Sequence, residues 1–252
     1  MGKELGEICK KLGITSRYLS EDEFDYYRNN HPPIEDILKS MLEISKIMNE
    51  EVIMIGGFCL HPELLGFRTI RRPSNDLDCV TNENGIQRLY NQFGNNLFQT
   101  LNYGDVFLDY NKMPFGFDVK ETHGWYIPED FYLDIKSFKI DGTNIKTISP
   151  EYLIALKARR GTVKSRIYGK DRLDTIALIV APYFKNTLER VDLRKTSKLI
   201  REHSTMDYPN ARRYIHSLQE GLPQLNKNER SIFLKEHSEF LNNLEMEYNS
   251  PN

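Results

Sequence analysis

Asp76 and Asp78 stand on either side of Leu77 in the run NDLDCV, and no other feature restricts the fold of this chain so tightly. Successive side chains on an extended strand point to opposite faces, so two residues two apart share a face with roughly 6–7 Å between their Cα atoms. Leu77 then turns the other way, into a core. Two carboxylates that converge to about 4 Å repel by about 4 kcal/mol at a near-surface dielectric. A strand keeps such a pair beside apolar neighbours when a divalent cation neutralises it, and oxygen-only ligands suit magnesium or manganese.

The residues upstream fit the same picture. VIMI (52–55) is a short apolar run of the kind a buried strand shows, and Gly56-Gly57 ends it abruptly. Two glycines let backbone approach a ligand closely, and a helix that follows them presents free N–H groups to a phosphate. The spacing predicts such a helix over 58–65. Arg72 and Ser74 lie just before the two acids, where a guanidinium and a hydroxyl suit phosphate oxygens.

The rest of the chain divides near residue 148. Before it the pattern is mixed. A helix is expected over 3–12, ended by Gly13, and a second over about 34–49, where Ile34, Ile37, Leu38, Met41 and Leu42 share one face. Residues 83–93 read as helix, 103–110 and 115–120 as strands. Asp141-Gly142 is a two-residue hairpin signal between strands 131–140 and 144–148. From Ser149-Pro150-Glu151, an N-cap followed by proline at the first helical position, the period is helical to about 247. The expected organisation is an N-terminal helical segment over 1–50, an α/β core over 51–148 and a helical domain over 149–252.

Composition excludes several classes. With 39% hydrophobic and 28% charged residues the chain reads as an ordinary globular protein. Its net charge of -2 lacks the basic excess that marks many nucleic-acid binders, although a local patch can hide in a neutral sum. The segment with Lys157, Arg159, Arg160, Lys164 and Arg166 is one such patch. Three cysteines, Cys9, Cys59 and Cys79, without a CxxC spacing, give neither a disulfide framework nor a zinc site. His61, His123 and His216 have no metal spacing, and Trp125 reads as a core aromatic. The N-terminus has no apolar leader, and no apolar run nears the roughly 20 residues of a membrane span, so a cytoplasmic protein without membrane contact is expected.

Taken together, the apolar strand, Gly-Gly and RxSxDxD resemble the nucleotidyltransferase fold of the DNA polymerase β superfamily, in its AbiEii-like and MenT-like branch. A second match lies in SPEYLIALKARRGTVKSRIYGKDRLDTIALI, which is similar to that branch in carrying a helical Lys157, then Arg166, Lys170-Asp171 and Asp174. The matches span about 52–180. The insert between Gly57 and Asp76 is longer than in minimal members, and Gly57 stands where serine is common.

The resemblance implies an α/β (α+β) fold, a mixed-sheet nucleotidyltransferase core followed by a helical domain. It implies magnesium (or manganese) at Asp76 and Asp78, and a third carboxylate on a later strand. Asp118, alternating with apolar neighbours in FGFDV, is the choice, Asp134 is the rival, and Asp105 and Asp109 are weaker. Gly56, Gly57, Arg72, Ser74, Lys157 and Asp174 would bind the nucleotide, which includes ATP. The implied reaction moves a nucleoside monophosphate from a triphosphate to a hydroxyl of RNA or tRNA, a protein or a small molecule. The family also contains toxins with antitoxin partners. The alternative is a non-catalytic nucleotide- or RNA-binding protein on the same fold.

Overall fold

A computed structural model describes residues 3–29, 33–49, 52–55, 77–101, 105–111, 113–119, 134–163, 169–184, 189–203 and 207–250. They fall into two compact units, one ending at Ile148 and the other beginning at Ser149.

Among the described residues the first unit is built on eight strands: β1 (Thr15–Arg17), β2 (Val52–Met54), β3 (Leu77–Thr81), β4 (Leu97–Thr100), β5 (Val106–Tyr110), β6 (Met113–Val119), β7 (Ile135–Ile140) and β8 (Thr143–Ile148). They form one mixed sheet in the order β1-β4-β5-β6-β3-β2-β8-β7. β6 runs parallel to β3, while β2 runs antiparallel to β3 and parallel to β8. Around it lie α1 (Lys3–Leu12), α2 (Glu21–Asn29), α3 (Ile34–Ile47) and α4 (Glu83–Phe93).

The register sorts the side chains. Val52, Met54, Leu77, Cys79, Val106, Leu108, Phe115 and Phe117 share one face, and all are buried. α4 packs against β3 and β4, and α3 against β8. Each such apolar side chain contributes roughly 1.5–3 kcal/mol on leaving water. On the opposite face Phe98 and Phe107 gather with Leu19 and the half-buried Tyr27 of α2, covering the β4–β5 end. The Arg17 guanidinium lies 3.8 Å above the Phe98 ring.

Local chemistry explains several boundaries. Asp141 and Gly142 both take positive φ, 46° and 79°, as a tight hairpin between β7 and β8 requires. Gly13 ends α1 at φ 75°. Asn82 caps α4 by accepting from Gly85 N at 2.9 Å. Three elements, β1, α2 and β4, have no counterpart in the expectations. The three residues of β1 are all exposed, so no hydrophobic alternation announces them; their pairing with β4 defines them. The strand expected over 103–110 begins at Val106. The helix expected over 58–65 lies outside the described residues.

The second unit is helical: α5 (Pro150–Val163), α6 (Gly169–Val180), α7 (Leu193–His203), α8 (Tyr208–Ser217) and α9 (Lys227–Asn249). Tyr214, Phe233, Phe240 and Leu244 are fully buried in it. Among the described residues, no helix of the chain is long and apolar enough to cross a membrane.

Two outcomes follow. A methyl group on Gly85 would lie 1.9 Å from Thr81 Oγ1 and 3.2 Å from Thr81 Cβ. Overpacking of that kind costs about 1–3 kcal/mol, more than the helix-propensity gain of at most about 1 kcal/mol. Gly85→Ala therefore lowers the urea midpoint; an unchanged or raised midpoint contradicts this packing. His237 is buried, with Nε2 3.1 Å from the Ile215 carbonyl, and burial holds its pKa below the ordinary value of about 6.5. The unfolded chain takes up a proton there that the folded chain refuses. The stabilisation is complete above about pH 6.5 and is lost as pH falls through the lowered folded value. Thermal melts of His237→Gln from pH 7 to 5 should show a shallower decline than wild type.

Candidate functional site

The centre of the sheet positions the acids. β3 and β6 pair in the register Leu77↔Phe115, Asp78↔Gly116, Cys79↔Phe117 and Val80↔Asp118. Leu77 and Cys79 are buried, and burial pushes the Cys79 thiol well above its ordinary pKa, the mark of a dry face. Asp78, between them, is exposed on the other side. Paired residues of neighbouring strands share a face, so Asp78, Gly116 and Asp118 occupy positions on the same one. The Asp78 carbonyl accepts from Ile55 N at 2.9 Å, which ties the residue before Gly56 to the strand carrying Asp78.

Several expected site residues, Gly56, Gly57, Arg72, Ser74 and Asp76, lie outside the described residues, as does the side chain of Asp118. Asp134 lies just before β7, which is three strands away from β3 in the sheet order, whereas β6 is the immediate neighbour of β3. Asp109 is exposed and accepts from the Tyr27 hydroxyl at 3.0 Å.

Asp105 stands closer to the centre than its sequence context suggests. A methyl group built on Gly116 would lie 2.6 Å from Asp105 Oδ2 and 4.0 Å from Asp78 Oδ1. Both carboxylates thus border one gap that a glycine leaves open in β6. The signal that could have found it is the glycine itself: between Phe115 and Phe117, in a strand interior, glycine marks a close approach.

This arrangement suits a hard divalent cation. The donors are carboxylate oxygens, a side chain at position 116 would fill the cradle between them, and magnesium commonly takes only one or two protein carboxylates. Among the described residues no group of three or more metal-binding side chains is gathered.

In the helical unit, Lys157 of α5 meets two acids of α6. Its Nζ lies 2.7 Å from Asp174 Oδ2 and 3.2 Å from Asp171 Oδ1, and the three side chains are only 8%, 2% and 2% exposed. Asp171 Oδ2 is buried and has no hydrogen-bond partner among the described residues. Thr175 donates to the Asp171 carbonyl at 2.9 Å and meets the Tyr214 hydroxyl at 2.8 Å. The ammonium is thus already engaged by carboxylates, which hold α5 to α6.

A mixed sheet with an apolar face and an acid-bearing face, accompanied by a helical unit, defines the class: an α+β protein of nucleotidyltransferase type. The chain matches over residues 91–225 the family described as nucleotidyl transferase of unknown function (DUF2204), and it belongs to that family. The matched region holds Asp105, Gly116, Asp118, Lys157 and Asp174, and begins after the strand of Asp78. No curated protein and no solved structure matches the chain.

Replacing Lys157 by methionine leaves two buried carboxylates without their shared ammonium. Breaking a buried pair in this way costs about 3–5 kcal/mol. Lys157→Met should lower the denaturation midpoint accordingly at neutral pH; a loss below about 1 kcal/mol would show that the triad does not hold the helices.

Proposed function

We propose that the chain transfers a nucleoside monophosphate from a nucleoside triphosphate to a hydroxyl acceptor, with release of pyrophosphate. The observation that carries the reading is Asp78: an exposed carboxylate on a central strand whose flanking residues are buried, sharing its face with the position of Asp118. Membership of a nucleotidyl transferase family supports it.

Asp76, Asp78 and Asp118 would hold magnesium or manganese, which when bound neutralises triphosphate charge and supplies Lewis acidity at the phosphoryl group. Gly56 and Gly57 would bring backbone N–H groups to the phosphates, with Arg72 and Ser74 contributing a guanidinium and a hydroxyl. Asp118 would orient the acceptor hydroxyl and take its proton. The acceptor oxygen bonds to the α-phosphorus as the bond to the bridging oxygen breaks, and pyrophosphate carries away that electron pair. Lys157, oriented by Asp171 and Asp174, would offset triphosphate charge. The AbiEii-like and MenT-like resemblance adds RNA or tRNA as acceptor, ATP among the donors and a toxin role with an antitoxin partner. A cytoplasmic site of action belongs to the same reading.

The test is incubation with each labelled triphosphate, magnesium and total RNA, following label transfer and pyrophosphate together. Loss of several kcal/mol of charge stabilisation lowers the rate by roughly 10²-fold or more, so Asp76→Ala and Asp78→Ala should each do so. Transfer that persists in both variants overturns the assignment. Triphosphate binding without pyrophosphate release under every acceptor indicates a binding protein.

A further inference from the structure

Gly116 is the one position of β6 where a missing side chain is filled by a neighbour's carboxylate. Phe115 and Phe117, on either side, turn to the buried face, their rings stacked with centroids 5.8 Å apart. On the other face Asp105 Oδ2 occupies the place a methyl group would need, at 2.6 Å, closer than a carbon and an oxygen tolerate. Asp105 is held there. The Thr100 hydroxyl donates to its Oδ1, and Thr100 N donates to its carbonyl at 2.8 Å. Thr100 closes β4 and is fully buried, so the clamp belongs to the sheet rather than to a surface loop.

The geometry has an electrostatic consequence. Thr100 takes one oxygen of Asp105 and directs the other over the gap that Asp78 Oδ1 also borders, at 4.0 Å. A cation placed in that gap is attracted by both carboxylates at once. Neither a helix end nor chance surface clustering explains a carboxylate clamped by a buried threonine against a glycine.

We propose that Asp105 is a further acidic group of the site, giving its Oδ2 to the divalent cation that Asp78 binds, with Thr100 setting its orientation and Gly116 providing the gap that admits it. The inference rests on the cation-dependent reading above and deepens it. It assigns function to a residue at the mouth of the β4–β5 pair and to a glycine, neither of which belongs to the DxD pattern.

Manganese binding by the full chain, read as the loss of the free-ion paramagnetic resonance signal, tests this without turnover. Removing a group that holds or orients a metal ligand costs about tenfold or more in affinity. Asp105→Asn and Gly116→Ala should each weaken Mn2+ binding to that extent, the second by displacing the carboxylate. The double variant should lose no more than the stronger single one, because both changes remove the same oxygen. Thermal melts run in parallel identify variants that have failed to fold. If wild type binds Mn2+ and Asp78→Asn abolishes binding while folded Asp105→Asn binds as wild type, Asp105 is only a clamp between β4 and β5 and the inference falls. If Asp105→Asn does not fold, Gly116→Ala decides: unchanged affinity in that folded variant overturns the proposal. If wild type itself binds no Mn2+, the cation-dependent reading fails first and this inference with it.

Discussion

The pairing of β3 with β6 is the constraint on which the candidate site depends. Phe115, Phe117, Leu77 and Cys79 pack on one face of these two strands, and their removal from water fixes which way each strand faces. A one-residue slip would bury Asp78 and expose its neighbours. The hydrophobic effect, acting on residues that take no part in any reaction, therefore aims the acids.

The same sheet manages its charge asymmetrically. At the β4–β5 end of the acidic face, aromatic side chains from α2 and the sheet cover the surface, and Asp109 is tied down by Tyr27. At the centre, Asp78 and Asp105 border an open gap instead. Negative charge is thereby gathered where the two carboxylates meet, and a cation in the gap would be attracted by both. Carboxylates gathered where apolar packing would be easier are a physical pointer to a candidate site.

The helical unit holds its own buried charges in a different manner. Lys157, Asp171 and Asp174 satisfy one another within hydrogen-bonding distance, in surroundings that exclude water. Such a network gives little net stability over an apolar equivalent, yet losing one member is costly. The orphaned Asp171 Oδ2 leaves the network one donor short among the described residues. This combination makes the triad sensitive to single substitutions and a fixed reference point between α5 and α6.

The sequence by itself determined the elements whose signals are local. The Asp141-Gly142 hairpin, the cap and proline at Ser149-Pro150, the glycine that ends α1 and the limits of α4 all follow from preferences within a few residues. Alternation around Leu77 put Asp78 on the face opposite the core. What only the tertiary structure decided is which strands become neighbours. β1 has no apolar pattern and exists through its pairing with β4; β6, not β7, lies beside β3; and Asp105, two strands from Asp78, reaches the same gap because Gly116 between them has no side chain. Strand pairing joins residues far apart in sequence, and its energy comes from hydrogen bonds and packing that no local pattern records. The lone glycine between two phenylalanines was the visible trace of that contact, but its partner was fixed only when the sheet assembled.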